Sequence, residues 1–485
     1  MSEIIPEADL PPPPAPPRRK GWPVLAWLVI VGTVVFLQWR NREAPASLLE
    51  TLDLVAMRMS ARLYVGMASL PDAGGKPQDV YQQAETALNR GGYAQRLRFA
   101  VLAGELSGPA EARKRLRELE EARQEGKVHP SATEQELARH LDRLYAGYER
   151  EPADRRSPDL SDADRQELRQ RLGWFGELAL APPGAADEAA RNSALAPARR
   201  TFWGFAGCTL AGLFTGFVGF VLLVVMLVLL AVGRLHGGMT TGSRHGGVYA
   251  ETFALYLLAF LGLSYGLSYV PAGNSRLLLS GAAAVGSLVV LAWPVLRGIP
   301  WRQVRQEIGW TAGRQPAAEP LIGVGTYAAA LPLLFIGLLI TLALKGAQEL
   351  IQGPPDPFGP SGAPGHPITA VVNHSSLWLW VQVVLVASVA APVVEETMFR
   401  GVLYRHLREA TGRGSRALSV VLSALVTSFV FAAIHPQGLL GVPVLMALAL
   451  AFNLAREWRG TLIPAMIAHG INNGAVTLLL YLVAT

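Results

Sequence analysis

LWLWVQVVLVASVAAPVVEETMFR, residues 377–400, decides how this chain is read. From Leu377 to Val394 no charge interrupts an apolar run of the length a bilayer-crossing helix needs. Two glutamates, Glu395 and Glu396, then stand side by side, with Arg400 four residues beyond the second. A carboxylate at membrane depth costs several kcal/mol even on lenient scales, so a sequence that keeps two of them there uses them.

The rest of the chain has the same character. Of 485 residues, 51% are hydrophobic and only 16% charged, well below the quarter expected of a soluble protein. Apolar runs recur at 22–39, 203–233, 248–270, 277–296, 321–344, 376–396, 417–435, 439–455 and 461–483. The expected fold is therefore all-α: a polytopic membrane helix bundle of about nine spans. Eight of them fall in the C-terminal bundle, preceded by an N-terminal anchor and an inserted α-helical soluble domain. The first run continues from Trp22 without a small-residue cleavage site, which fits a retained anchor better than a cleaved signal. A net charge of +6 is spread beside the apolar runs rather than gathered on one patch, which speaks against nucleic acid as a partner and for the lipid bilayer. The single cysteine, Cys208, excludes an intrachain disulfide and a cysteine-based metal site.

Composition sets the boundaries. Residues 1–21 are a proline-rich leader expected to be disordered, 22–39 the transmembrane anchor, 40–200 a helical domain, and 201–485 the membrane bundle, with its core at about 320–485. Within 40–200, apolar residues at helical spacing (Val80, Ala84, Leu88; Leu97, Val101, Leu102) predict antiparallel helix pairs separated by breaks such as NRGG and SGP. In SPDLSDADRQEL, Ser161 is placed to cap a helix whose first turn carries Asp162 and Asp164. No clean 34-residue period marks a repeat array.

Cations in short loops stay cytoplasmic. With the N-terminus inside, strict alternation puts Arg234, Arg244, Arg297, Arg302, Arg305, Arg314, Arg405, Arg408, Arg413, Arg416, Arg456 and Arg459 inside, against Arg276 and Lys345 outside. The same parity makes the 40–200 domain and the GPPDPFGPSGAPGHP loop extracytoplasmic, in a cell (inner) membrane protein. Arg199 and Arg200, on the outer side, run against the rule, which long domains obey weakly.

Three polar clusters interrupt the last four spans. In the first, Glu396 and Arg400 share a helix face while Glu395 points about 100° away, free to face a cavity as a general base. The second is FVFAAIHP, with Phe431 and His435 four apart, and the third HGINNG, with His469 and Asn473 one turn apart and Asn472 turned away. Each has a bland reading: a helix-locking ion pair, an interfacial histidine, interhelical hydrogen bonding. Together they supply the groups that activate water and stabilise an oxyanion. One Glu with two His is also a zinc ligand set, although the His-Glu-x-x-His helix is absent. Counting from the turn at Gly412–Ser415, Glu395 and His435 fall at matching depth on antiparallel helices. A continuous helix from 376 to 411 would span about 54 Å, so it must kink at Pro392 or project from the bilayer.

Glu395-Glu396…Arg400, Phe431…His435 and His469…Asn473, in this order, resemble the membrane protease family of the type II CAAX prenyl endopeptidases and the bacterial bacteriocin-processing and self-immunity proteins. The contexts FRGVLYRHL and RGTLIPAMIAHGINN, and PWRQVRQEIGW at 300–310, are similar to the bacterial branch, so that the resemblance covers about 250–485. It implies an intramembrane endopeptidase in which Glu395 activates water with His435 assisting. His469 and Asn473 would steady the oxyanion, and Glu396 with Arg400 would hold the helix. A zinc-dependent and a metal-free glutamate mechanism fit these residues equally. The alanine–arginine-rich composition is bacterial in character, so a peptide or membrane-protein substrate is implied rather than a prenylated one. A non-catalytic membrane scaffold or immunity protein of the same fold is the alternative, and a transporter a third reading, since intramembrane carboxylates also relay protons, although no repeated half with matching broken helices supports it. The partner of the 40–200 domain is not named by its sequence.

Overall fold

A computed structural model describes residues 22–42, 46–70, 77–150, 160–184, 187–239, 244–353, 356–359 and 376–484. The proline-rich leader lies outside the described residues, as does most of the GPPDPFGPSGAPGHP loop. Among the described residues every regular element is helical and no strand forms. Among the described residues, nine helices are long and apolar enough to cross a membrane: Trp22–Arg40, Glu188–Ala231, Val248–Ser268, Arg276–Leu296, Glu319–Gln352, Leu377–Thr411, Arg416–Ala433, Gly438–Arg459 and Ile463–Leu482. These are the nine spans expected from the sequence, and the chain is an all-α, multi-pass membrane protein. Large apolar side chains such as Leu210, Phe214 and Phe217 stay exposed on these helices, as lipid-facing positions should.

The chain folds as two compact units. One gathers the described parts of 43–214 together with 342–380 and 476–485. Its core, around Phe99, Leu102, Leu141, Leu144 and Phe175, is built from helices between Ala46 and Leu180 and closed by Leu195 and Ala198 from the start of the Glu188–Ala231 helix. That helix begins well before residue 203 because these positions pack into the soluble core, a boundary that hydropathy alone cannot see. Gly108, at φ +101°, alone joins Tyr93–Ser107 to Pro109–Gln124, which packs back on it. Ser161 and Asp164 form a reciprocal cap: the Ser161 hydroxyl accepts from the Asp164 amide at 3.1 Å, and the Asp164 carboxylate accepts from the Ser161 amide at 3.3 Å. The described loop residues Asp356–Gly359 dock on this domain. Pro357 O accepts from the Gly91 amide at 2.8 Å, and the Arg96 guanidinium lies 4.1 Å from the centre of the Phe358 ring. Loop and domain therefore pack against each other.

The other unit gathers the described parts of 1–42 with 215–341 and 381–475. Here the first span is no detached anchor. Ala26 and Ile30 are buried in a core with Tyr249, Phe253 and Phe399, and the Gln38 side chain donates to Ala433 O at 2.5 Å.

A layer of ion pairs ties the unit together. Glu457 accepts from Arg408 at 3.0 and 3.1 Å and from the Tyr404 hydroxyl at 3.1 Å. Glu307 accepts from the Tyr249 hydroxyl at 2.7 Å and lies 3.5 Å from Arg405. Arg459 holds Glu319 through two nitrogens at 3.1 and 2.7 Å, and Arg297 holds Glu251 at 2.9 Å. Arg405, Arg408 and Arg456 are buried. Several of the arginines that count toward orientation in the sequence are thus structural, neutralised by glutamates far away in the chain.

Candidate active site

The geometry begins with Pro392. A proline inside a helix has no N–H to give and crowds the preceding turn. The Leu377–Thr411 span accommodates it by widening on both sides: Val386–Ala390 and Glu396–Leu403 are π-helical, flanking a short α-helical Ala391–Glu395. Wide turns of this kind are rare and concentrate at functional sites. The second one carries Glu396 and Arg400; the first supplies the surface on which the last helix rests.

Glu396 is fully enclosed. Its Oε1 lies 3.0 Å from Nη1 of Arg400 and 2.8 Å from Nδ1 of His469. The Arg400 guanidinium is buried as well, 4.4 Å from the centre of the Phe431 ring and 5.4 Å from that of Phe452. Two ring faces and the Ala449 carbonyl, 3.4 Å from Nη2, line the guanidinium, while Glu396 Oε2 and Arg400 Nε stay buried without a hydrogen bond.

Glu395 points elsewhere, as adjacent helical residues must. Its Oε2 lies 3.7 Å from Nε2 of His469 and 3.9 Å from Nε2 of His435, and it is buried without a hydrogen-bond donor. The tautomers follow from the other ring nitrogens. His435 Nδ1 sits 2.6 Å from the Phe431 carbonyl, which can only accept, so Nδ1 carries the hydrogen. His469 Nδ1 faces the Glu396 carboxylate and carries its hydrogen for the same reason. In the neutral form of each ring, Nε2 therefore presents a lone pair to Glu395. Three acceptors face one another, at separations too long for hydrogen bonds among themselves. Such a centre is complete only with something that donates or carries positive charge, and a water molecule is the simplest occupant.

A metal ion was the other candidate. Zinc ligands at about 2.0–2.2 Å stand roughly 3.4 Å from one another. Glu395, His435 and His469 do not bring ligand atoms within 4.8 Å of one another all together; among the described residues the group that does lies in the helices between 132 and 172. The set is too open for one ion as it stands.

Asn473 is placed differently from the sequence reading. Its Nδ2 donates to Ala387 O at 2.8 Å, in the first π-helical turn, and its Oδ1 accepts from Asn472 at 3.2 Å. One amide hydrogen is spent on the backbone, and Asn472 is engaged rather than turned away. Phe452 is a participant that no motif announces: its ring stacks 5.5 Å from that of His469. Trp310, the last residue of the PWRQVRQEIGW segment, also reaches this helix; its Nε1 donates at 2.9 Å to the Thr397 hydroxyl, which donates to Val393 O at 2.7 Å. Nothing in the sequence around Phe452 sets it apart from other apolar core positions.

Residues 376–475, which contain all three motifs, match the family model of the type II CAAX prenyl endopeptidase Rce1-like proteins. Over 91 residues the chain is 31% identical to the membrane-embedded CAAX protease MroQ of Staphylococcus aureus (strain USA300). The aligned stretch is 19% of this chain and 36% of that relative, so the chain spans about a third of the relative's length. No solved structure matches. The resemblance is borne out over a shorter stretch than the 250–485 read from the sequence, and the Trp301–Ile308 helix lies outside it.

Proposed function

We propose, from a core built as in the Rce1-like membrane proteases, that this protein is an intramembrane endopeptidase that hydrolyses a peptide bond of a peptide or membrane-protein substrate. At the level of family the core is that of a membrane protease; the steps, the substrate class and the orientation are our reading. A water held at Glu395 loses a proton to its carboxylate as its oxygen attacks the scissile carbonyl. The water's other hydrogen is shared between the Nε2 lone pairs of His435 and His469. The Glu395 proton then passes to the leaving amine, so the base ends as it began. As the carbonyl oxygen gains charge, the second amide hydrogen of Asn473 is the group to receive it. Glu396 and Arg400 do none of this chemistry; they fix the ring of His469.

What carries the reading is one feature: a glutamate oxygen buried without a donor and flanked by two imidazole lone pairs. The positions of the arginine-bearing ends favour a cytoplasmic N-terminus, with the 46–200 helices extracytoplasmic.

The test is Glu395→Gln. New N-termini among membrane-associated proteins should vanish in cells carrying this variant while the protein still accumulates. Persistence of the same cleavage products would remove the proposal and leave a non-catalytic scaffold of the same fold.

A further inference from the structure

The outer helical domain holds a second constellation, remote in sequence from the three motifs. Glu136 and His140 lie four apart on the Ala132–Arg150 helix and so share a face. Glu167 faces them from the Asp162–Leu172 helix. One ligand atom from each can be chosen so that all three lie within 4.8 Å of one another.

His140 makes this more than an acidic cluster. It is 4% exposed, and its Nδ1 is buried without a hydrogen bond, 3.8 Å from Glu167 Oε2. Its other nitrogen, Nε2, faces Asp164 Oδ1 at 3.7 Å. Asp164 is itself fixed, since its second oxygen accepts from the Ser161 amide and lies 3.5 Å from Arg143. A ring with one nitrogen aimed at free carboxylates and the other backed by a fixed carboxylate is the arrangement of a metal-ligating histidine. Glu136 and His140 also line a cleft of about 990 Å³, which gives an ion its way in. The His140–Glu167 pair needs to close by only roughly half an ångström to reach zinc's ligand spacing, with Glu136 brought in by rotation of its exposed side chain.

We propose that Glu136, His140 and Glu167 bind one divalent first-row transition ion, with zinc the best match to an imidazole and two carboxylates. The ion would clamp the Ala132–Arg150 helix to the Asp162–Leu172 helix and stiffen the outer domain. The claim is independent of whether Glu395 hydrolyses anything.

The experiment is a calorimetric titration of Zn²⁺ into the full-length protein in detergent, after chelator treatment and dialysis. One saturable site is expected, weakened at least about tenfold in Glu167→Gln and in Glu136→Gln. Glu136 is exposed, so its variant cannot fail merely by unfolding the core. His140→Ala should abolish binding, whereas Glu395→Gln should bind as wild type. Absence of saturable binding overturns the proposal, as does binding undiminished in both glutamine variants. Displacement of Zn²⁺ by equimolar Ca²⁺ would overturn the assignment to a transition ion, because imidazole ligation disfavours calcium.

Discussion

His469 holds its Nδ1 hydrogen 2.8 Å from Oε1 of Glu396, and this contact separates the work of the two neighbouring glutamates. Glu396 is committed on one oxygen to a cation and an imidazole, whereas Glu395 faces two lone pairs and no cation. The stabilities of their amide variants should therefore move in opposite directions. Glu396→Gln leaves Arg400 buried beside a neutral group, which costs about 3–5 kcal/mol when a buried pair is broken. Glu395→Gln removes a carboxylate that has no protein donor, and stability should hold or rise. Thermal unfolding in detergent reads both, and both variants should be inactive. A Glu395→Gln protein less stable than Glu396→Gln would contradict this division.

The clusters at 395–400, 431–435 and 469–473 were legible because each is local. Two carboxylates end an apolar run, and their partners recur at one-turn spacing. The number of spans was legible for the same reason: length and apolarity are properties of single segments. What escaped the sequence is long-range or a matter of register. Pro392 signals a disturbance, yet not that both flanking turns widen into π-helix. Arg297 and Glu251 are 46 residues apart, Arg459 and Glu319 140 apart, so nothing nearby marks these arginines as paired. The Trp22–Arg42 helix is apolar on every side, and its sequence does not distinguish a lipid-bathed anchor from a helix buried by Tyr249 and Phe253.

The ion-pair layer carries stability rather than chemistry. Glu457 is buried and serves Arg408, the Tyr404 hydroxyl and, at 3.5 Å, Arg416. Glu457→Gln should cost about 3 kcal/mol or more, because Arg408 is left as a buried, unneutralised cation. Turnover per folded molecule should stay near wild type, since none of these partners belongs to the site. Paired measurements of unfolding temperature and of kcat on the folded fraction check this, and a selective loss of kcat would count against it.

Asn473 gives a discriminating pair of variants. Its Nδ2 already donates to Ala387 O, so an aspartate of the same shape would set an oxygen 2.8 Å from a carbonyl oxygen. Asn473→Asp should thus be no better than Asn473→Ala, despite being nearly isosteric. The alanine variant should lose about 10²–10³ in kcat, the range for one oxyanion donor, with KM little changed. Steady-state kinetics on one substrate separates these outcomes. A fully active aspartate variant would show that the amide hydrogens are dispensable.

The last helix reaches the Val386–Ala390 turn through a glycine. A Cβ built on Gly470 would stand 2.7 Å from Ser388 O, a backbone atom that cannot swing aside. Gly470→Ala must push the helix away, and with it His469 one residue earlier and Asn473 three residues later. Displacements of about 1 Å cost on the order of 10²-fold when reacting groups are held in fixed register. Gly474, one turn further along, is the control: its added Cβ would meet the Ser388 hydroxyl at 3.6 Å, an ordinary contact. Gly470→Ala should therefore lose about two orders of magnitude in kcat while Gly474→Ala stays within a few-fold of wild type. Equal losses at both glycines would mean that the close approach of the helix to the π-helical turn does not set the position of His469.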